Sequence, residues 1–328
     1  MKHISILVPT PAVLGSIEGP RQVFVEVNKF LESQGHDPVF KVQLVGFTKE
    51  VPMAGGKYTV HVDALIQDLL KTDLIIKPAL EGDFADTLGK NAPFIPWILE
   101  QRQGGAEVAS LCVGAFMLAQ TGLMNGRQCA THWMFANQFR SMFPKVNLVE
   151  DKILTDEDGL YSSGGAFSYL NLIIYLVEKF AGRQTAVFFS KAFQIDIQRD
   201  SQSPFIIFSG QKDHGDEDVR KAQEYIENNY QEKLSVDELA SMLYIGRRNF
   251  ERRFKKATSN TVAEYIQRVK IEAAKMSLES PTENVNDVMY KVGYTDTKAF
   301  RNTFKRITGM SPVQYRNRYY KATTAEVA

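Results

Sequence analysis

"NFERRFKKATSNTVAEYIQR" (249–268) returns fifty residues later as "AFRNTFKRITGMSPVQYRNR" (299–318). At that constant offset Phe250 matches Phe300, Phe254 matches Phe304, Lys255 matches Lys305, Thr258 matches Thr308, Tyr265 matches Tyr315 and Arg268 matches Arg318, while Lys256 against Arg306 keeps the charge. Two copies are too few for a solenoid, so the pattern predicts one supersecondary unit used twice. Each copy has the layout of a helix-turn-helix. In the first, Ser235 and Glu238 form a capping box that opens a helix through Met242, Tyr244-Ile245-Gly246 turns, and a second helix spans 247–257. In the second, Asn284 caps a helix through Lys291, Gly293-Tyr294 turns, and the next helix starts near Thr295 or Asp296 and runs to Ile307.

Phenylalanines four apart face a core, which leaves the opposite face of each second helix to solvent. In the first copy that face shows Arg247, Arg248, Asn249, Arg252 and Lys256; in the second it shows Thr297, Lys298, Arg301, Asn302 and Lys305. Arginine and asparagine suit base edges in the major groove, and lysines suit phosphates, so these are the candidate contacts to double-stranded DNA. A single basic helix is commonly just a solvated face; two spaced copies argue for function. Between them residues 262–278 read as one helix of roughly 25 Å. Successive major grooves on one side of a duplex lie about 34 Å apart, so each subunit is expected to engage two groove segments.

The chain around this repeat has 328 residues, 44% hydrophobic and 23% charged, which suits a globular protein of two domains rather than a disordered or fibrous one. Its net charge of +1 hides an asymmetry. Residues 217–320 hold 19 Lys and Arg against 14 Asp and Glu, which leaves residues 1–216 net acidic.

That front part alternates strand-like runs, "HISILVP" (3–9), "VFKVQLVGF" (39–47), "DLIIKPAL" (73–80), "EVASLC" (107–112) and "VNLVEDKIL" (146–154), with helical stretches at 20–34, 93–102, 114–121, 133–143 and 166–180. Several runs are apolar throughout, as in strands buried on both faces, so the sequence predicts an α/β domain with a mostly parallel sheet followed by an all-α tandem helix-turn-helix domain. The expected boundaries are 1–207 for the first domain, 208–216 for a linker, 217–320 for the second and 321–328 for a tail. No apolar run approaches a membrane span, and "MKHISILVPTP" reads as a first strand, which points to a cytoplasmic protein with no membrane partner. Cys112 and Cys129 are expected as free thiols. The five histidines are scattered, so neither a metal nor a cofactor is expected.

"VGYTDTKAFRNTFKRITGMSPVQYR" (292–316) resembles the second helix-turn-helix of the AraC/XylS family of transcription regulators, and residues 217–320 as a whole are similar to that domain. Gly246 stands where the family usually carries a capping serine; glycine still caps at a cost of a few tenths of a kcal/mol. The front part resembles the PfpI/ThiJ-like, class I glutamine amidotransferase-type fold, on "ISILVP", "EGPRQVF", "LIIKPALEGD", "SLCVGAFMLAQTGLMNGR" and "ATHW". Together the two halves match the GlxA-like regulators. The resemblance implies a flavodoxin-like sheet, a sequence-specific DNA-binding regulator rather than an enzyme, a small-molecule effector, a homodimer, and RNA polymerase as a partner.

It also singles out Cys112, placed after a strand on a tight turn, with Gly114 needed for close helix packing. The following helix N-terminus is expected to favour a thiolate there. Turnover needs a base and something to hold it. Val113 stands where enzymes of the superfamily commonly carry histidine, Ser16 stands where they carry an acid, Glu18 is two positions away, and His132 is the nearby candidate base. The candidate reactive thiol is therefore Cys112 with His132, and the candidate ligand pocket is Glu18, Cys112, Val113, His132, Ser163 and Gly164, at the strand ends where such folds bind ligands. "SSGG" (162–165) reads as a plain helix start, the alternative being a helix cap that binds an anion through its backbone amides. The alternatives are a cysteine hydrolase or hydratase with a DNA-binding tail, and a thiol-based redox or electrophile sensor.

Overall fold

The unbroken apolar runs of the front half become interior strands of one sheet. In chain order the strands are β1 (Lys2–Leu7), β2 (Phe40–Gly46), the hairpin β3 (Glu50–Met53) and β4 (Tyr58–His61), β5 (Ala64–Leu65), β6 (Leu74–Lys77), β7 (Glu107–Ser110), the short pair β8 (Gln128–Cys129) and β9 (Asn147–Leu148), then β10 (Leu154–Asp156) and β11 (Leu160–Ser163). In this computed structural model, which describes residues 1–280 and 283–320, seven of them order as β10-β11-β7-β6-β1-β2-β5. Every neighbouring pair is parallel except β10 with β11.

Period-two alternation feeds both faces at once. Ile4 and Ile6 of β1 and Leu74 and Ile76 of β6 pack on one side with the helices α1 (Leu14–Ser33), α6 (Tyr169–Ala181) and α7 (Arg183–Ala192). Leu7, Ile75 and Val108 pack on the other with α2 (Phe84–Asn91), α3 (Phe94–Gln103), α4 (Ala115–Gln120) and α5 (Ala136–Met142). The result is the expected three-layer α/β domain.

Several details depart from the sequence reading. The run 146–154 is not one strand: its ends are β9 and β10, and the stretch between them turns. The first helix starts at Leu14, six residues before the expected Pro20, and carries that proline inside it. "SSGG" is no helix start, because Ser162 and Ser163 are paired within β11. The first compact unit ends at Gln202 and the second begins at Ser203, not after 207. Residues 208–216 are not a free linker. Phe208 packs edge-on against Tyr265, its N–H donates to Glu272, and Asp216 caps the next helix. The expected tail 321–328 lies outside the described residues.

The second unit is helical: α8 (Glu217–Asn228), α9 (Val236–Met242), α10 (Arg247–Thr258), α11 (Val262–Leu278), α12 (Val285–Lys291), α13 (Thr297–Thr308) and α14 (Pro312–Tyr319). It has two small cores. Phe250, Phe254 and Tyr265 centre the first, and Phe300, Phe304 and Tyr315 the second. The α11 helix belongs to both, giving Val262, Tyr265 and Ile266 to one and Ile271, Ala274 and Leu278 to the other. No helix among the described residues is long and apolar enough to cross a membrane.

The tightest approach to backbone in the sheet domain is at Gly114, where a Cβ would meet the backbone oxygens of Pro78 at 2.5 Å and Lys77 at 2.6 Å. Backbone cannot yield as a flexible side chain does. Gly114→Ala is expected to cost about 1–3 kcal/mol, the usual penalty for forcing a methyl into a packed interior. Urea unfolding of the two proteins measures the difference, and an unchanged midpoint would contradict the packing.

Candidate functional site

The two helices that follow the turns, α10 and α13, are the same length, and each residue of one has the same burial class as its partner fifty positions on. Phe250, Phe254 and Thr258 are buried in one, Phe300, Phe304 and Thr308 in the other. Each second phenylalanine meets the tyrosine of the following helix edge-to-face, Phe254 on Tyr265 at 5.3 Å and Phe304 on Tyr315 at 5.5 Å between ring centres. Gly246 opens α10 without a side-chain cap, whereas Asp296 accepts the Ala299 N–H at 2.6 Å and caps α13. Losing the serine therefore leaves the helix intact.

All ten expected DNA contacts lie on exposed positions of these helices, yet they are not equivalent. Arg247 is held by Asp237 at 2.9 Å and by Glu251 at 3.5 Å. Arg252 donates to Asn249 at 2.8 Å on the same helix. The stripe at spacing i, i+3, i+4, i+7 is Arg248, Glu251, Arg252 and Lys255 on α10, and Lys298, Arg301, Asn302 and Lys305 on α13. Glu251 was not among the expected residues, although its alignment with Arg301 is legible in the repeat.

Three other cations of this unit are bonded within the fold. Arg253 forks onto Asp216 at 2.6 and 2.8 Å and reaches Asp218 at 2.9 Å, pinning α10 to the start of α8. Its hydrogen bond holds the Asp216 carboxyl below the usual carboxylate range. Lys270 donates to the carbonyls of Glu232 and Gly293, and Lys275 to that of Ile206.

In the sheet domain Cys112 follows β7 in the left-handed region, at φ 54°. Its N–H donates to Ser163 Oγ at 3.3 Å, and its carbonyl accepts from Thr131 Oγ1 at 3.2 Å. The fold thus gathers Cys112, Val113 and Ser163, with Gly164 following Ser163 under the Gln202 amide. Glu18 lies in α1, where its carboxylate is forked by Arg21 at 2.6 and 2.7 Å on the same helix. Ser16 donates to Val13 O and accepts the Ala79 N–H, tying the start of α1 to the chain after β6. His132 accepts the Met134 N–H through Nδ1 at 3.2 Å, so it caps the turn before α5. Burial lowers its pKa.

Burial works against the thiolate expected at Cys112. Cys112 is 6% exposed, and that burial pushes its thiol up to about 11 despite the Val113 N–H. A 3-10 turn and a six-residue helix follow it. Tyr169, unanticipated, donates to Gly15 O at 2.8 Å, and burial together with the nearby sulfur raises its hydroxyl pKa. A groove of about 680 Å³ lies elsewhere in this domain, with an aliphatic floor of Ile153, Leu154, Ile174 and Ile197 and a rim including Lys152 and Lys179.

Sequence reasoning also missed Lys77. The registers place Lys77, Ser110, Ser162 and Thr155 side by side across β6, β7, β11 and β10, all buried. Ser162 and Thr155 share a hydrogen bond of 2.5 Å, and Cys129 bonds Ser162. Lys77 ends the row fully buried, its Nζ without a hydrogen-bond partner among the described residues, and desolvation drives its pKa well below that of an exposed lysine. Burial pushes the Cys129 thiol up to about 12.

Residues 22–179 match the DJ-1/PfpI family and residues 239–318 a helix-turn-helix domain. The HTH-type transcriptional regulator ArgR of Pseudomonas aeruginosa is 24% identical over 216 residues, 66% of this chain and 65% of its own length, so the match spans just under two thirds of that relative. The HTH-type transcriptional regulator CdhR of the same species is 22% identical over 95% of this chain and 90% of its own. A Vibrio parahaemolyticus protein of known structure, 23% identical, aligns with a TM-score of 0.53 over 58% of this chain and 98% of that one.

Lys77→Met keeps the volume and removes the unpaired amine, so it is expected to stabilise the protein by about 1–3 kcal/mol near pH 7. Below the ordinary lysine value of about 10.4 the unfolded chain binds a proton that folded Lys77 refuses, so wild-type stability rises with pH and the gap narrows as that value is approached. Denaturant melts at several pH values measure both effects. Alkylation of native Cys112 by iodoacetamide is expected to be slow at pH 7.5 and to accelerate about tenfold per pH unit, because only the thiolate reacts. Labelling at the rate of free cysteine near neutrality would show that burial does not control the thiol.

Proposed function

We propose, from the premise that residues 22–179 belong to the DJ-1/PfpI family and residues 239–318 form an AraC-type helix-turn-helix domain, that this chain is a sequence-specific, effector-responsive transcription regulator. The observation that carries it is the pair of matched helices α10 and α13, each with a phenylalanine face buried and a charged face left open. Relatives named as transcriptional regulators support the same reading, and the match to CdhR runs through both halves. Base contacts come from Arg252, Arg301 and Asn302, with Arg248, Asn249, Lys256, Thr297, Lys298 and Lys305 as further bases or phosphate contacts. Arg247 joins them only when phosphate competes with Asp237 and Glu251.

The sheet domain serves as the sensor. A small molecule bound beside Cys112, Val113, His132, Ser163 and Gly164 shifts the protein between two states by binding one of them better. The open groove along α6 is the second place for such a ligand, favoured by its volume of about 680 Å³ when Cys112 and Ser163 are closed off. A homodimer and RNA polymerase complete the proposed partners. Catalysis by Cys112 is the weaker reading, because its thiol is buried and His132 is engaged as a cap. A cytoplasmic location follows from the regulatory role.

Arg301→Ala is expected to weaken operator binding by about 1–3 kcal/mol, and to relax base preference at one position. Affinity for the operator should also fall steeply with added salt, as released counterions require. Both are measured by fluorescence anisotropy on a duplex selected from a random pool. Wild-type protein that ignores duplex DNA at low salt would refute the proposal.

A further inference from the structure

The stripes of α10 and α13 agree at their ends and differ in the middle. The first positions are Arg248 and Lys298 and the last are Lys255 and Lys305, cations in both copies. The second positions are Glu251 and Arg301, opposite in charge, and the third are Arg252 and Asn302. All eight residues are exposed, and the burial pattern beneath them is the same, so these differences are not forced by packing. Flanking cations common to both copies suit phosphates, which carry no sequence information. The central pair is where the two copies can tell bases apart.

A carboxylate is the least suited group for a polyanion unless it meets a donor. Glu251 projects from the middle of α10 beside a groove of about 440 Å³ that it lines with Arg252, Lys255, Lys256, Thr261 and Val262. The major-groove donor that a glutamate accepts from is the N4 amino group of cytosine; arginine suits guanine O6 and N7, and asparagine suits adenine N6 and N7.

We infer that Glu251 is a specificity-determining residue and that the two helices read different half-sites: cytosine and guanine under Glu251 and Arg252, guanine and adenine under Arg301 and Asn302. This deepens the DNA-binding reading above and rests on it. The operator is then a tandem of two unlike segments for each subunit, not a direct repeat. Arg247, at 3.5 Å from Glu251, is released when the carboxylate turns to a base.

The experiment selects bound duplexes from a random pool with the full-length chain, its Glu251→Gln and Arg301→Gln variants, and the double exchange Glu251→Arg with Arg301→Glu. Glutamine pairs with adenine, so Glu251→Gln is expected to change one enriched cytosine to adenine, with a shift of roughly tenfold in relative affinity for the two duplexes. Arg301→Gln changes a guanine to adenine in the other half-site only, and the double exchange swaps the cytosine and guanine between the two. Glu251→Gln that selects the same sequence as wild type, with affinity retained, overturns the inference and leaves the DNA-binding reading standing; it would mark Glu251 as a positioning residue for Arg247. A wild-type protein that enriches no duplex at all fails the reading itself. Circular dichroism checks that each variant remains helical, as exposed substitutions predict.

Discussion

Two phenylalanines one helical turn apart constrain the helical half more than any other feature. Their rings are completely buried in both copies, and each second ring meets a tyrosine of the next helix. Rotating α10 or α13 about its axis would expose roughly two large aromatic side chains, each worth about 1.5–3 kcal/mol in burial. The orientation of each helix is thereby fixed, and the charged stripe faces outward because nothing else can. The tyrosines are held in turn by acids: the Tyr265 hydroxyl donates to Glu227 and that of Tyr315 to Glu279, each at 2.6 Å. Burial raises both hydroxyls well above the usual phenol range, so they remain donors.

The sheet domain obeys a different constraint, the close passage of the chain after β7 over the chain after β6. Gly114 makes that passage possible, and Leu111 N–H closes it by donating to Lys77 O at 2.9 Å. The same closeness places Cys112 in the left-handed region and seals it from water. A backbone built to present a thiol and a surrounding that keeps it protonated coexist here. Geometry alone therefore does not establish reactivity; the environment of the sulfur decides the protonation state at neutral pH.

Much of this was legible in the sequence, and the failures share a cause. The repeat, both turns, the capping box at Ser235 and the parallel sheet followed from spacing and residue type, because each depends on local geometry or simple periodicity. What the sequence hid depends on neighbours distant in the chain. "SSGG" has the composition of a turn, but Ser162 and Ser163 satisfy their hydroxyls against Thr155 and against Cys112 N–H, which lie in other elements. Lys77 reads as the polar end of an apolar strand, and only the register with Ser110 and the cover of the second layer show it buried. Residues 208–216 have the composition of a linker, yet Phe208 finds a buried tyrosine 57 positions away. Helix dipole is visible from sequence and desolvation is not, so the burial that opposes a thiolate at Cys112 could not be read from it.

The charge excess of the helical half divides along the same line between local and distant neighbours. Arg253, Lys270 and Lys275 count toward the basic total but are consumed within the fold, as a carboxylate clamp and as two lysines bonded to backbone carbonyls. What remains for a polyanion is concentrated on two helices joined through α11, whose 17 residues rise about 26 Å. That helix contributes side chains to both cores, so the two reading surfaces cannot swing apart without breaking one of them. Successive major grooves are about 34 Å apart on straight DNA, so the proposed engagement of two of them requires an offset of α10 and α13 beyond the ends of α11 or a bend in the duplex. Bending has a cost that varies with the sequence of the segment between half-sites, so under the proposed reading a rigid spacer would turn even uncontacted base pairs into part of the recognition energy.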